Sequence, residues 1–183
     1  MSAIELVLVL PLTGAIVLAL IPGYRPGAWL NVLTSLATLA AAIRLLTVEH
    51  ASTPYLFVDD FNIYLVVLTG FVGFTTSVFS ASYIRHEIDI GRLTPANLRF
   101  YHSMYQAFLF TLLLALSANN IGIMWVAVEG ATLTTVLMVS LYRTREAIEA
   151  AWKYFILCGV GIALALFGTI LMYLAAQAAI GAG

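Results

Sequence analysis

The sequence predicts an all-α polytopic membrane bundle of about six transmembrane helices, and three observations lead to this prediction. Of the 183 residues, 62% are hydrophobic and 9% are charged, and the mean hydropathy is +1.01. This leaves too little polar surface to cover a soluble globular protein. Several apolar stretches are also long enough to cross ~30 Å of hydrocarbon as a helix. We therefore expect a multi-pass protein of the inner (plasma) membrane, with residues 1–183 forming a single membrane domain.

Six apolar segments follow one another, separated by polar or proline- and glycine-containing breaks, among them the polar stretch Arg85–Arg99. They are Ala3–Ile21, Ala28–Leu46, Phe61–Tyr83, Phe100–Ser117, Asn119–Leu141 and Ala150–Ala175. The first has no basic start and contains an acidic residue and a proline, so we read it as a retained helix and not as a cleaved signal peptide. Helices one to three lie in residues 1–83, and helices four to six lie in residues 99–177. The connection Ser117–Asn120 is so short that helices four and five must be antiparallel neighbours.

The basic residues predict the orientation of the bundle. One side of the membrane receives seven of them and the other side receives only Arg44. The seven are Arg25, Arg85, Arg92, Arg99, Arg143, Arg145 and Lys153. By the positive-inside rule the side with seven is cytoplasmic, which places both termini outside.

Glu129 is the first candidate for a functional residue. It is the only charged residue between Asn119 and Leu141, and it lies near the bilayer midplane if this segment spans the membrane. An acid there costs at least about 2.5–3.5 kcal/mol on insertion scales, so proton or ion handling is the default hypothesis. The alternative is a structural acid that hydrogen-bonds helix five to a neighbour.

Lys153, early in helix six, is the nearest candidate partner for Glu129. Glu149 precedes it by four residues, the spacing at which a glutamate and a lysine pair on a helix surface. The sequence leaves three arrangements open for Lys153: a contact with Glu129 through a bridging water or a helix tilt, a plain surface pair with Glu149, and a lysine that reaches the cytoplasmic interface.

Thr132 and His102 are secondary candidates, together with Glu149. Thr132 follows Glu129 by about one helical turn and is the one threonine of this helix that we consider as a member of a proton path, although threonines in spanning helices mostly bond their own backbone. His102 is expected at the cytoplasmic mouth of helix four, where it would feed protons to the bundle or simply face the interface. Three glycines in helix six are predicted to allow close helix packing. They are Gly159, Gly161 and Gly168.

Other kinds of chemistry lack the residues that they need. Cys158 is the only cysteine, and its apolar surroundings favour an inert thiol. His86-Glu87 has no second histidine at metal-ligand spacing, and no glycine-rich phosphate loop occurs. A net charge of −1 excludes a strongly basic nucleic-acid surface. We therefore expect no catalytic residue, cofactor or metal ion in this chain, and any redox centre would belong to partner subunits.

The order of these features resembles a known family. The fourth to sixth segments carry the specific part, FYHSMYQAFLFTLLLALSANNIGIMWVAVEGATLTTVLMVSLYRTREAIEAAWKYFILCGVGIALALFGTILMY. This run resembles the antiporter-like membrane subunits of respiratory complex I, of cation/proton antiporters and of membrane-bound nickel–iron hydrogenases. Within it, AIEAAWKYFIL is most similar to the component F type of hydrogenase-4. Upstream, PLTGAIVLALIP and VDDFNIYLVVLTGFVGFTTSVFSASYI are similar to the first and third helices of the same family.

The resemblance implies a proton-translocating membrane subunit of a complex I-related or hydrogenase-type oxidoreductase. In that family the helix-five glutamate, here Glu129, pairs with lysines and passes protons on, and Lys153 matches a basic position at the start of helix six. Family members have about fourteen helices with two inverted repeats. This chain would hold only their N-terminal six-helix portion, with an incomplete first antiporter-like repeat in residues 99–177. The missing helices are then on a second chain or on a longer form of this one, or a shortened copy serves as a scaffold.

Two alternative functions stay open. A structural scaffold subunit without its own ion path would tolerate Glu129→Gln and would fail to assemble when Gly161 is enlarged. A subunit of a Na⁺/H⁺ antiporter independent of redox chemistry would show flux that depends on Na⁺. In each case the expected partners are the lipid bilayer and other membrane subunits, including a chain that supplies the missing helices, and no nucleic acid.

Overall fold

The computed structural model describes residues 2–21, 24–47 and 53–180, although the side chains of 24, 25, 95, 96 and 178–180 lie outside the description. Six long helices follow in order. They are α1 (Ala3–Leu20), α2 (Tyr24–Arg44), α3 (Asn62–Asp89), α4 (Pro95–Ser117), α5 (Ile121–Val139) and α6 (Arg145–Ile180). Short 3₁₀ turns, Leu45–Thr47 and Ser140–Tyr142, extend α2 and α5. The described residues contain no named β-strand, so the predicted all-α class is confirmed.

The helix starts show why the chain folds into these elements. Ser2 and Glu5 form a capping box, in which the Ser2 amide donates to Glu5 Oε2 at 2.8 Å and the Glu5 amide donates to Ser2 Oγ at 3.3 Å. Asn120 caps α5 by accepting a 2.8 Å hydrogen bond from the Gly122 amide. Only Ala118–Asn120 separates α4 from α5, and the two helices pack against each other as predicted.

The stretch Arg85–Arg99, predicted as a break, is instead mostly helical. α3 continues to Asp89 and α4 already begins at Pro95. A turn between them contains Gly91 at φ 76°, in the left-handed region that glycine enters without strain. Buried apolar side chains beneath this polar surface hold the two helix ends in place; they are Ile84, Leu93, Leu98 and Leu141. Hydropathy located the spans here but not the helix ends beyond them.

Five of the helices have the length and apolar composition of a membrane span, which is one fewer than the six predicted. The exception is α4, which packs against α1, α2, α3 and α5. Its first half carries the polar side chains of His102, Ser103 and Gln106, all of them buried. The helix therefore runs through the protein interior, where polar groups find protein partners.

Side chains of α4 donate hydrogen bonds to main-chain carbonyl oxygens of three other helices. Ser103 Oγ donates to Ala15 of α1 at 2.8 Å. Tyr105 Oη donates to Gly73 of α3 at 2.5 Å, and Gln106 Nε2 donates to Asn31 of α2 at 3.1 Å. Interhelical hydrogen bonds of this kind help to hold helices together in membranes.

Two sets of contacts define the ends of the bundle. At one end the Phe57 amide donates to the Ser117 carbonyl at 2.8 Å, which ties the loop before α3 to the α4–α5 connection. At the other end Tyr83 Oη and Tyr142 Oη are 2.8 Å apart. Arg44 lies in the last turn of α2, at the first end. Most of the other basic residues lie towards the second end, as the sequence predicted, while the side chain of Arg25 lies outside the described part.

Candidate functional site

Glu129 lies in the middle of α5, a helix of 19 residues, about 12 Å from its start. Its side chain is half-buried. Among the described residues it forms neither a hydrogen bond nor an ion pair. The structure therefore places an unpaired carboxyl group in the middle of a helix that is long and apolar enough to span a membrane.

Contacts on either side of Glu129 show where it faces. One turn earlier, Trp125 Nε1 donates a 3.0 Å hydrogen bond to the Ile162 carbonyl oxygen of α6. Residues four apart lie on one helix face, so Glu129 is on the side of α5 near α6. The next residue, Gly130, faces α4, since a Cβ added there would be 3.0 Å from Thr111 Cγ2.

The register of α5 against α6 separates Glu129 from Lys153. Towards the Tyr142 end of α5, the Tyr154 side chain lies against Thr135. Trp125 is level with Ile162 in the same way. These two contacts place Lys153 roughly 8–10 Å along the helix axis from Glu129. No ion pair within 4 Å joins the two residues. A bridging water or a helix movement would be needed to connect them.

Lys153 pairs instead with Glu149 on its own helix. Lys153 Nζ and Glu149 Oε1 are 2.6 Å apart, and the two side chains are 70% and 58% exposed. Of the arrangements left open by the sequence, this geometry is the surface pair. Such exposed pairs contribute little to stability.

Thr132 is buried but is occupied by its own helix. Its hydroxyl donates a 3.2 Å hydrogen bond to the Val128 carbonyl oxygen, which is the usual bond of a threonine in a spanning helix. Thr132 lies about one helical turn from Glu129, and no hydrogen bond joins the two side chains.

The sequence analysis expected His102 at the cytoplasmic mouth of helix four, and the structure buries this side chain among the helices. Because α4 begins at Pro95, His102 is about two turns inside the helix. It is 1% exposed, and neither ring nitrogen has a hydrogen-bond partner among the described residues. The imidazole is an interior group between packed helices.

The structure also contains buried polar residues that the sequence analysis did not single out. Asn31, Ser35 and Gln106 are each 0% exposed and are joined by hydrogen bonds between α2 and α4. A signal was present, because Asn31 and Ser35, like His102 and Gln106, are four residues apart and share a helix face. Only the packing of the two helices shows that these faces meet.

Glu87 is a second buried acid that the sequence analysis missed. It lies near the end of α3, is 4% exposed, and has Arg92 Nη1 at 3.7 Å from its Oε1 atom. A carboxylate near a helix C-terminus is disfavoured by the helix dipole, and Arg92 offsets that charge. Because Glu87 sits in a polar stretch, its burial has no signature in the sequence.

The glycines of α6 do not mediate close packing within the described residues. A Cβ added at Gly159, Gly161 or Gly168 would meet nothing within 4 Å. The close approaches occur instead at Gly14 and Gly73, where an added Cβ would be 2.5 Å from Thr34 Cγ2 and 2.8 Å from Leu109 Cδ1. The predicted close packing at the α6 glycines is therefore not found among the described residues.

Comparisons with known proteins agree with this architecture. Residues 118–179, which include α5 and most of α6, match the family model described as NADH:quinone oxidoreductase/Mrp antiporter, TM. The chain is 54% identical over all of its 183 residues to a hydrogenase-4 component F homolog of Methylacidiphilum infernorum, of which it spans 38%.

Shorter similarities extend to a second group of proteins. The chain is 39% identical over 79 residues to NADH-quinone oxidoreductase subunit N 2 of Aquifex aeolicus, which is 41% of this chain and 16% of that protein. It is 32% identical over 88 residues to NADH-quinone oxidoreductase subunit N 1 of Opitutus terrae, which is 48% of this chain and 17% of that protein. This multi-pass membrane chain belongs to the antiporter-like membrane subunit family of hydrogenases and NADH-quinone oxidoreductases.

Proposed function

We propose that this chain is a membrane-arm subunit of a proton-translocating, complex I-related or hydrogenase-type assembly, and that Glu129 carries part of its proton pathway. The observation that supports this most is the position of Glu129. A half-buried carboxyl group without a partner among the described residues stands at the middle of α5. It also falls inside the segment that matches the antiporter family model.

The physical basis is the sensitivity of a buried carboxyl group to nearby charge. Desolvation favours the protonated form, and an approaching cation favours the ionised form. A group without a fixed counter-ion is therefore free to take up a proton and to release it when a cation moves closer. A permanently paired glutamate would hold its charge and would transfer protons poorly.

Lys153 is the cation that this proposal assigns to Glu129. It is bound to Glu149 in the structure, and roughly 8–10 Å along the helix axis separates it from Glu129. Loading and unloading would then require Lys153 to leave Glu149, or a water to bridge the gap. An exposed ion pair contributes little free energy, so separating Lys153 from Glu149 requires little.

The test is proton uptake by vesicles that contain the whole reconstituted complex, driven by its natural electron donor. Glu129→Gln keeps the size of the side chain and removes its titration, so we expect proton translocation to fall by about 100-fold or more, the scale on which a positioned proton-transfer group acts. The matched control is Glu146→Gln, an equivalent change at an exposed position in the first turn of α6.

The proton pathway, the structural role and the cation/proton antiporter predict different outcomes of this test. Loss of translocation with normal assembly in Glu129→Gln, together with normal flux in Glu146→Gln, supports the proposal. Acidification at the parental rate in Glu129→Gln would reject it and leave a structural role. Flux that persists without an electron donor and depends on Na⁺ would indicate a cation/proton antiporter.

A further inference from the structure

The contact between α2 and α4 buries a set of polar side chains. Gly27 faces His102, and Asn31, four residues later, faces Gln106. The two helices therefore run in the same direction. The exposure is 0% for Asn31 and Gln106 and 1% for His102. Polar groups are rarely buried without partners.

The hydrogen bonds of this set use only some of its polar atoms. Gln106 Nε2 donates to Asn31 Oδ1 at 2.7 Å, to Ser35 Oγ at 2.8 Å and to the Asn31 carbonyl oxygen at 3.1 Å. Asn31 Nδ2, Gln106 Oε1 and both ring nitrogens of His102 are buried and find no partner among the described residues. These four atoms belong to three neighbouring side chains and define one site.

The chemistry of the four atoms selects their ligand. Asn31 Nδ2 is a donor, Gln106 Oε1 is an acceptor, and a neutral imidazole is a donor at one nitrogen and an acceptor at the other. The ligand must therefore both donate and accept hydrogen bonds. The three side chains include no carboxylate to neutralise a cation and no permanent positive charge to bind an anion. The described part of the chain also has no cluster of three or more His, Cys, Asp or Glu side chains that could hold a metal ion.

Gly27 lies opposite His102 across the α2–α4 contact. A Cβ added at Gly27 would be 3.8 Å from His102 Cδ2, an ordinary van der Waals contact. Internal water typically makes about three hydrogen bonds to buried polar groups that are otherwise unsatisfied.

We propose that Asn31, His102 and Gln106 form a binding site for ordered water between α2 and α4. The site is distinct from Glu129. His102 and Gln106 face α2, whereas Thr111 of α4 faces α5 at Gly130. The proposal is thus independent of proton transfer at Glu129.

The test is X-ray radiolytic footprinting of the whole complex in H₂¹⁸O, read out by mass spectrometry of the peptide that contains His102. Hydroxyl radicals formed from bound water oxidise a neighbouring side chain even when bulk solvent does not reach it. We expect His102 to take up ¹⁸O at least about tenfold faster than a buried residue that has no water beside it. The internal references are Leu98 and Leu113, which are both 0% exposed.

Two variants assign the signal to the site. Asn31→Leu removes the free donor, together with the Oδ1 acceptor of Gln106 Nε2, and should lower the His102 labelling rate by about fivefold. The matched control is Thr38→Val on the same helix. Thr38 is 0% exposed, and its hydroxyl bonds only within α2, to the Thr34 carbonyl oxygen at 2.8 Å.

The parent protein alone is sufficient to reject the proposal. If His102 is labelled no faster than Leu98 and Leu113, no ordered water lies beside the ring. Equal loss of labelling in Asn31→Leu and in Thr38→Val would also overturn it, because the effect would then reflect general loosening of α2. Unchanged labelling in Asn31→Leu would place the water elsewhere and reject the proposed ligands.

Discussion

Trp125 on α5 donates a 3.0 Å hydrogen bond from its indole Nε1 atom to the main-chain carbonyl oxygen of Ile162 on α6. None of the most apolar stretch of α6 is buried against the rest of the described protein, so individual contacts with α5 matter for its position. The bond lies one turn from Glu129 and defines which part of α6 stands opposite that residue.

We expect Trp125→Phe to loosen α6 without unfolding the bundle. The substitution removes the donor and keeps an aromatic ring, so the loss should be about 0.6 kcal/mol, the average for hydrogen bonds between membrane helices. Hydrogen exchange followed by mass spectrometry should show faster exchange in α6 around Ile162. Trp29→Phe is the control, because Trp29 is 69% exposed and should leave exchange in α6 unchanged. Equal exchange in all three proteins would contradict the assigned role of Trp125.

Tyr105→Phe should destabilise the α3–α4 contact. The phenol donates a 2.5 Å hydrogen bond to the Gly73 carbonyl oxygen, and the ring would stay in place when the hydroxyl is removed. We expect the free energy of unfolding to fall by about 0.6 to 1.7 kcal/mol, measured by steric trapping in bicelles. Tyr64→Phe is the same change at a side chain that is 66% exposed and should cost nothing measurable. A similar loss in both variants would mean that the Gly73 bond is not its source.

Gly73→Ala and Gly161→Ala should differ in sign or size although both add one methyl group to a helix. At Gly73 the new Cβ would be 2.8 Å from Leu109 Cδ1, and Leu109 is 2% exposed, so the leucine has little room to move. We expect a loss of about 1–3 kcal/mol in the free energy of unfolding. At Gly161 nothing lies within 4 Å, and the change should stay within about 0.5 kcal/mol.

The double variant Gly73→Ala, Leu109→Ala separates crowding from other effects at Gly73. Removing the leucine side chain takes away the atoms that the new methyl group meets, so the cost of adding the alanine should be much smaller in that background. If Gly73→Ala costs the same with Leu109 present or removed, steric conflict is not the cause. These measurements also test the structure against the expectation that the α6 glycines are packing positions.

Lys153→Gln should leave the stability of the protein almost unchanged. The pair with Glu149 is 70% and 58% exposed, and exposed pairs at this spacing contribute about 0.3–0.5 kcal/mol. Proton translocation by the complex should nevertheless fall if Lys153 is the cation that acts on Glu129. The control is Arg85→Gln, which breaks the exposed pair of Arg85 with Asp89 on α3. Normal translocation in Lys153→Gln would remove Lys153 from the pathway and leave Glu129 to another cation.

The sequence predicts the helices well because a membrane span is recorded in local composition. All six predicted segments correspond to helices, and most of the errors concern the ends. α6 begins five residues before the predicted Ala150, at Arg145, since charged residues form regular turns beyond the apolar segment. Glu129 became a candidate for a related reason, because a lone acid in an apolar helix stands out without any knowledge of its neighbours.

The interior of the bundle was harder to predict, because burial depends on which faces meet. His102 was expected at the mouth of helix four and Gln106 was not singled out, yet both are buried and face α2. Glycine spacing was likewise a poor guide: Gly161 has an open surface and Gly73 has a close neighbour. Periodicity identifies a face of a helix but does not say what lies opposite.

The hydrogen bonds from α4 to α1, α2 and α3 also impose an order on biosynthesis. Their acceptors are the carbonyl oxygens of Ala15, Asn31 and Gly73, all of which precede the donors Ser103, Tyr105 and Gln106 in the chain. During translation the first three helices are synthesised before any of these donors exists. Their mutual arrangement is therefore completed only when the fourth helix enters the membrane, and a nascent chain that stops before Ser103 lacks the groups that join the three helices.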